Sequence, residues 1–504
     1  MTRILRCNGS RKSSCGLQSI LAAAICLILL AEMGIAQESI STATPASPSA
    51  AAGAMQVTTT LPALGSQNPF QGSIPQGKVV PGSIPLTLLD ALDRGLKYNL
   101  GLFESEQGSA SARAVRLQAL SRLLPNLAAG VSDTQEQINL AALGFPPHAF
   151  PGVPSIIGPF NVFDARANLS APIIDIGALN SLRASTENTR GAISSYKNAR
   201  ELVVVAVGVA YVQSLSAQAR VAAIQAQLDT AQSLFQLATD QNKAGVAPSI
   251  DVLRSQVELQ SDQQRLVAAR NELDKQKLQL ARTIGMPTGQ EFTLAQEIPY
   301  TPAPPLTLEA AIDEALHNRP DYASALSAVR AAELRTRSAH QERWPILRFD
   351  GNYGVIGNYP DQSHGTFTAA GSVQVPIFSG GRIRSDIQQS EIALKQRQAE
   401  AEDLRGRIEY EVRAAFLDLK AAADQVDVAR STLNLAQQTL AQGQDRFRAG
   451  VTNNIEVIQA QESVASANEV LINSTLQFNL AKLALARSLG VAERATKEFL
   501  GGKP

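Results

Sequence analysis

Residues 449–458 read Ala-Gly-Val-Thr-Asn-Asn-Ile-Glu-Val-Ile, and residues 244–253 read Ala-Gly-Val-Ala-Pro-Ser-Ile-Asp-Val-Leu. The two stretches lie 205 positions apart. Each contains a glycine, which readily adopts the left-handed conformation that ends a helix. Four residues later comes Ser249 or Asn454, a residue type that caps the start of a helix. Each stretch therefore predicts a tight reversal between two helices, which we call a hairpin tip.

The duplication extends through nearly the whole chain. Leu86-Thr87-Leu88 matches Leu306-Thr307-Leu308 at an offset of 220, and Pro172-Ile173-Ile174 matches Pro376-Ile377-Phe378 at an offset of 204. The first copy thus has 16 extra residues, and we expect them to lengthen a loop at 138–159. Self-similarity of this kind predicts two structural repeats. We place them at 84–300 and 301–497, followed by a C-terminal tail at 498–504.

Each repeat is predicted to contain a short helix, a strand hairpin and two long helices. Residues 178–243 and 382–448 contain no proline, and a 66-residue helix would be roughly 100 Å long. Apolar and small residues follow coiled-coil spacing along these stretches, so each long helix should pack against its return helix. The predicted seam residues are Val221, Ile224, Leu228, Ala231, Phe235, Ala238, Val252, Ser255, Leu259 and Leu266 in repeat one, and Val426, Ala429, Leu433, Ala436, Leu440, Gly443, Phe447, Val457, Ala460, Val464, Ala467, Leu471, Ser474, Phe478, Ala481 and Leu485 in repeat two.

Four stretches per chain are predicted to be strands. Apolar and polar residues alternate in 163–171, 347–355 and 367–375, and less regularly in 126–134. Period two places one set of side chains on each face of a sheet. A lipid-facing barrel strand needs about 9 to 11 such residues. A half-buried sheet of a soluble protein alternates in the same way, so the strands alone leave both interpretations open.

The N-terminus has the layout of a secretory signal peptide. Four basic residues precede the apolar run 17–31, and Gly34-Ile35-Ala36 supplies small residues at the cleavage spacing. The alternative is an uncleaved anchor, but a run of about 15 residues is short for a helix that needs roughly 20. We predict a signal peptide at 1–36 and a flexible Ala/Pro/Ser-rich segment at 37–83. All three cysteines lie within 1–36, so the mature chain would have no disulfides and no thiol chemistry.

The remaining composition argues against several functions. Removing four basic residues and Glu32 from the 45 of each charge leaves 41 basic and 44 acidic residues, so no basic excess is available for nucleic acid. The four histidines are scattered along the chain, and a phosphate-binding glycine loop is absent. We therefore predict no catalytic, metal or cofactor site, and a secreted hydrolase is a weak alternative. No stretch after residue 36 is expected to span a membrane as a helix, so any crossing must use strands.

Four strands cannot close a membrane barrel, since such barrels begin at about eight. An open edge in lipid would leave backbone groups unpaired at a cost of several kcal/mol each. If the strands cross a membrane, several chains must share one barrel, and their helical hairpins would form a shared tube. The predicted fold class is thus mixed and mainly α. The alternative is a periplasmic coiled-coil scaffold with a soluble sheet and no pore.

The duplicated layout, the hairpin tips and the junction Val375-Pro-Ile-Phe-Ser-Gly-Gly-Arg382 resemble the TolC / outer membrane factor family of efflux proteins. The resemblance covers about 84–497. It implies a homotrimer with a twelve-stranded barrel in outer-membrane lipid and an α-helical tunnel through the periplasm. It also implies a passive channel of a tripartite efflux or type I secretion system. The tips, Ala244, Gly245, Val246, Ala449, Gly450 and Val451, would dock on a periplasmic adaptor (membrane fusion) protein, which connects to an inner-membrane pump of the RND, ABC or MFS type.

The resemblance also implies an acidic ring that narrows the periplasmic entrance. Glu456 matches the first acidic position of the family, whereas the second position is Gln459 here, and Thr452 replaces a basic residue of some relatives. Asp251 is the repeat-one equivalent of Glu456. Three Glu456 side chains brought together would repel each other and favour cation entry. Alternatively, Glu456 and Asp251 lie in the first turn of a helix and complement its dipole.

Four residues are predicted to shape the strand-to-helix junctions. Gly380 and Gly381 lie where a strand must turn into a helix, and glycine suits such a turn because it tolerates positive φ. Pro172 and Pro376 are predicted to mark the same bend in the two repeats.

Overall fold

A computed structural model describes residues 68–146, 151–246, 248–287, 289–295, 300, 307–449, 451–452 and 454–499. Repeat one contains β1 (Ile84–Leu86), α1 (Leu88–Tyr98), α2 (Leu100–Ser121), β2 (Asn126–Asn139), β3 (Ile156–Ile174), α3 (Ile176–Lys243), α4 (Ser249–Thr283) and β4 (Phe292–Leu294). Repeat two contains α5 (Leu308–Asn318), α6 (Pro320–Gln341), β5 (Ile346–Gly357), β6 (His364–Gln374), α7 (Arg382–Arg448), α8 (Asn454–Ser488) and α9 (Ala492–Phe499). The predicted signal peptide, 1–36, lies outside the described residues.

The two very long helices are confirmed, because α3 has 68 residues and α7 has 67. Helix α3 packs against both α4 and α8, and α8 packs against α7. The four long helices therefore form a row in the order α4, α3, α8, α7. Many of the predicted seam residues of repeat two are buried, among them Val426, Ala429, Gly443, Phe447, Val457, Ala460, Val464, Phe478 and Leu485.

The single short helix predicted before each strand hairpin is wrong, since each repeat has two helices there. Asn99 and Arg319 separate them, with backbone angles of φ −67°, ψ 132° and φ −65°, ψ 118°. The residue before a proline avoids the helical region, which explains the break at Arg319-Pro320. The Asn99 side chain accepts a hydrogen bond from Gly101 N at 3.0 Å, so it caps the second helix of repeat one.

The largest core lies where α1, α3, α4 and α8 meet. Val203, Val207, Leu280, Ile284 and Leu483 are fully buried there. The small parallel pair β1–β4 lies over this core, with Leu86 opposite Leu294. This pair was not predicted from the sequence.

One prediction is wrong, namely that no stretch after residue 36 is apolar enough to span a membrane as a helix. By length and composition, α3 includes an 18-residue window apolar enough to cross a membrane, with a mean hydropathy of 1.6. However, 61% of this window is buried inside the protein. A core helix covered on several sides is apolar for that reason, so composition alone does not make α3 a membrane span.

Part of the segment predicted to be flexible is bound to repeat one. Ile74 N donates to Tyr98 O at 2.8 Å, and Gln76 N donates to Gly285 O at 3.2 Å. Val80 N donates to Gln290 Oε1 at 2.7 Å. Residues 68–83 therefore follow the surface of repeat one, whereas 37–67 lie outside the described residues. At the other end, α9 reaches Phe499, inside the predicted tail 498–504.

Candidate functional site

The four long strands form one antiparallel sheet in the order β2-β3-β5-β6. Opposite residues on neighbouring strands share a face. One row of partners is Ala129, Ala167, Tyr353 and Phe367, and the adjacent row is Ala128, Asn168, Asn352 and Thr368. The alternating patterns thus come into register, giving the sheet one mainly apolar face and one mainly polar face. Even the irregular stretch 126–134 joins this arrangement, as the first nine residues of β2.

Within the part of the chain that the structure describes, neither face of the outer strands is covered. All eleven residues of β6 and thirteen of the fourteen in β2 are exposed. Large apolar side chains are included, with Phe367 78%, Val131 73% and Leu127 70% exposed. On the polar face, Arg166 Nε donates to Asp164 Oδ1 at 2.6 Å, and Ser170 Oγ donates to Asp350 Oδ1 at 2.7 Å. An apolar face without a covering layer suits a lipid environment, since water would penalise it.

The junction glycines have the conformations that their position requires. Gly380 has φ +61° and Gly381 has φ +89°, and Gly381 is the N-cap of α7. At the corresponding bend of repeat one, the strand register shifts between Pro172 and Ile174. Pro376 follows the last residue of β6 by two positions. The roles of these residues in positioning barrel against tunnel stay a prediction.

The first hairpin tip ends with a left-handed glycine. Gly245 has φ +74°, and two backbone hydrogen bonds close the turn, Ala244 N to Asp240 O at 3.0 Å and Val246 N to Gln241 O at 2.9 Å. In the second tip, Ala449 N donates to Asp445 O and Val451 N to Arg446 O, both at 3.0 Å. Gly450 lies outside the described residues. Val246 is 73% exposed and Val451 is 70% exposed, so each tip ends in a protruding apolar side chain.

The predicted helix caps at the tips are wrong. Ser249 is the first residue of α4, and the capping position belongs to Pro248, which makes no side-chain hydrogen bond. Asn454 is the first residue of α8 and is fully buried. Its Nδ2 donates to Asp251 O at 3.1 Å and to Ser255 Oγ at 2.6 Å. We call these two bonds the Asn454 bridge; they join the tips of the two hairpins, which capping rules based on one helix could not predict.

The predicted gate residues differ in their surroundings. Glu456 Oε1 accepts a hydrogen bond from Arg446 Nη1 at 3.0 Å, and its Oε2 accepts one from Thr452 Oγ1. Asp251 is 5% exposed and pairs with Arg254 at 3.5 Å. Gln459 is exposed. Asp251 is therefore turned away from solvent, whereas Glu456 and Gln459 can face a channel, and the gate itself stays a prediction.

A buried ion network joins the start of α6 to α7 and α8, and it was not predicted from the sequence. Arg319 is 3% exposed and pairs with Asp321 at 2.6 Å and with Glu411. Arg487 lies 3.6 Å from Asp321. The Arg319 guanidinium holds the pKa of Asp321 below its usual value, against the effect of burial. In the sequence, the only indication of this network is Pro320, which interrupts the helix. The residue before it, Arg319, therefore lies where several helices meet.

Known proteins match this architecture. The model of the outer membrane efflux protein family matches residues 92–286 and 311–491. The chain belongs to this family. Toluene efflux pump outer membrane protein TtgC of Pseudomonas putida is 24% identical over 340 residues, covering 64% of this chain and 68% of that protein. Alkaline protease secretion protein AprF of Pseudomonas aeruginosa is 22% identical over 350 residues, covering 68% and 72%. The solved structure of VceC from Vibrio cholerae superposes with a TM-score of 0.69 at 17% identity, covering 80% of this chain and 96% of that one.

Membership in the family decides between the two main hypotheses. The protein is an outer-membrane channel component of an efflux or secretion system, with the long helices in the periplasm. The scaffold hypothesis is therefore rejected. Members of the family are channel proteins that work with other components of an export system.

Proposed function

We propose that three copies of this chain close into one ring, a passive conduit through which a periplasmic adaptor and an inner-membrane pump export their cargo. The observation that carries the proposal is that, among the described residues, the sheet and the helix row both have free edges. Strands β2 and β6 are the outer strands of the sheet, and α4 and α7 are the outer members of the helix row. Three copies supply twelve strands, enough for a membrane barrel.

Both outer helices carry an exposed apolar stripe. The α7 stripe consists of Ile392, Tyr410, Leu417, Val428 and Leu435, and the α4 stripe consists of Leu253, Val257, Val267 and Leu278. Successive members of the α7 stripe are 18, 7, 11 and 7 residues apart. At about 100° of rotation per residue, each spacing returns to the same face of the helix to within about 20°. Leu417 is 71% exposed and Val267 is 70% exposed. Such stripes indicate a partner surface, since a solvated helix face is usually polar.

The two stripes match in height above the tips. Val428 lies 20 residues before the end of α7 and Val267 lies 18 residues after the start of α4, or about 30 Å and 27 Å along the helices. Leu417 and Leu278 lie about 47 Å and 44 Å from the same ends. An α7 stripe would therefore meet the α4 stripe of the next copy at the same levels, as a head-to-tail ring requires.

The tips suit docking on an adaptor. Val246 and Val451 protrude as apolar side chains at the end most distant from the sheet, and burial of exposed apolar surface favours association. The entrance would be ringed by three Glu456 carboxylates, each with its own Arg446 at 3.0 Å. We infer that this pairing moderates the cation preference of the ring, because each arginine offsets the charge of one carboxylate.

Cysteine cross-linking tests the ring. The double variant Val267→Cys/Val428→Cys, made in the mature chain, should form covalent trimers on mild oxidation in membranes. Each single variant should stay monomeric on a denaturing gel, because the interface is head-to-tail. A double variant that forms no cross-links, or forms dimers only, would contradict the proposed ring.

A further inference from the structure

A cavity of about 340 Å³ lies between the two helical hairpins, and α3, α4, α7 and α8 all contribute to its wall. Gln461, one of its lining residues, lies seven residues after Asn454 on α8, or about 10 Å farther from the hairpin tips. The Asn454 bridge joins the hairpins below the cavity. Above it, Arg220 Nη2 donates to Glu469 Oε1 at 2.6 Å, from α3 to α8. The cavity therefore lies between two fixed cross-links of the same two hairpins.

The charge on the cavity wall is unbalanced. Glu258 and Asp262 of α4 both line it, with side chains 13% and 5% exposed. Arg265 is the one basic residue in the described lining, at 3.9 Å from Glu258 and 3.1 Å from Asp262. Burial raises the pKa of both carboxyl groups, and repulsion from Asp262 and Glu462 adds to the rise at Glu258. A second positive charge would therefore be stabilised here.

The rest of the wall combines apolar surface with hydrogen-bond acceptors. Leu440, Val464 and Ala465 supply apolar contacts. Gln461 Oε1 is buried and has no hydrogen-bond partner among the described residues. Small-molecule sites typically have this composition, with apolar walls and a few convergent polar groups in about 300 to 1,000 Å³.

We propose that this cavity binds a small organic cation, a primary ammonium group on a compact apolar body. The ammonium group donates hydrogen bonds to the carboxylates of Glu258 and Asp262 and to Gln461 Oε1, while the apolar body lies against Leu440 and Val464. The bound ligand contacts both hairpins at once. It therefore holds them together beside the Asn454 bridge, a regulatory property beyond that of a conduit.

Benzylammonium is a suitable probe, with uncharged benzyl alcohol as its matched control. Binding is followed by calorimetric titration of the purified full-length mature protein in detergent at pH 7. The test variants are Asp262→Asn and Glu258→Gln. Asp274→Asn removes the same charge from an exposed position of α4 outside the cavity lining. Ala465→Leu keeps every charge and narrows the cavity.

We expect saturable binding of benzylammonium and at least tenfold weaker binding of benzyl alcohol. Each carboxylate variant should weaken benzylammonium binding about tenfold, the loss of one charge-assisted hydrogen bond. Ala465→Leu should weaken it as well, and Asp274→Asn should leave it unchanged. Equal binding of the two probes, absence of saturation, or equal affinity for wild type and all four variants would overturn the proposal. Channel conductance of the same preparation reports on the conduit separately, so the two proposals fail independently.

Discussion

Replacing Asn454 by alanine should loosen the contact between the two hairpin tips. The side chain is fully buried and donates two hydrogen bonds, at 3.1 Å and 2.6 Å, to the other hairpin. Each such bond contributes about 0.5 to 1.5 kcal/mol net, so the substitution should cost about 1 to 3 kcal/mol. That energy corresponds to a shift of roughly 5-fold to 150-fold towards separated tips.

Among the described residues, a small apolar contact remains at the tips. Leu234, Phe447 and Val457 form a cluster of buried residues beside Asn454. The variant should therefore fold normally but open locally, because the loss is confined to one end of long helices whose cores lie far away.

Hydrogen exchange measures this opening directly. Amides of 254–260 and 457–463 should exchange at least fivefold faster in Asn454→Ala, and single-channel recordings should show higher conductance. Asn434→Ala is the control, since Asn434 is an exposed residue of α7 whose Oδ1 accepts a hydrogen bond from Gln438 Nε2 at 3.3 Å within the same helix. Exchange and conductance equal to those of the control would refute the role given to the bridge.

Three further predictions concern stability and selectivity. Burial lowers the pKa of Lys482 to about 8. Its charged form therefore destabilises the native state at neutral pH. The free energy of unfolding should rise as pH increases from about 8 towards 10.5. Lys482→Met should therefore raise stability at pH 7 by about 1 to 3 kcal/mol in urea unfolding, with a smaller gain at pH 10. Gly490 has φ +72°, and an added Cβ would lie 2.8 Å from Arg319 Cα, so Gly490→Ala should lower the melting temperature, with Gly406→Ala as a mild control. Arg446→Gln should increase cation selectivity in reversal-potential measurements, and Glu456→Gln should decrease it.

The long helices and strands could be predicted because their residues follow periodic sequence patterns. The absence of proline over 178–243 and 382–448 matched α3 and α7 to within two residues. The alternating stretches 163–171 and 347–355 lie entirely in strands, and 367–375 lies in a strand apart from residue 375. Periodicity is a local property of the chain, so it survives even when tertiary contacts are unknown.

Contacts between distant segments could not be predicted in this way. Asn454 suits a helix cap by residue type, yet it bonds to Asp251, about 200 residues away. The β1–β4 pair has three residues per strand. It joins a segment that precedes α3 in the sequence to one that follows α4. Glu258 and Asp262 belong to a solvated helix face by pattern, and only the packing of four helices turns them towards a cavity. Each of these features depends on which helix faces are brought together, information that one-dimensional spacing does not contain.

In the proposed assembly, one chain supplies one third of a pore. Native mass spectrometry of the mature protein released from detergent, combined with planar-bilayer recordings on the same sample, measures both this stoichiometry and the pore. We expect a mass of three chains and stable ion conductance. A single-chain mass together with no conductance would rule out the trimeric pore.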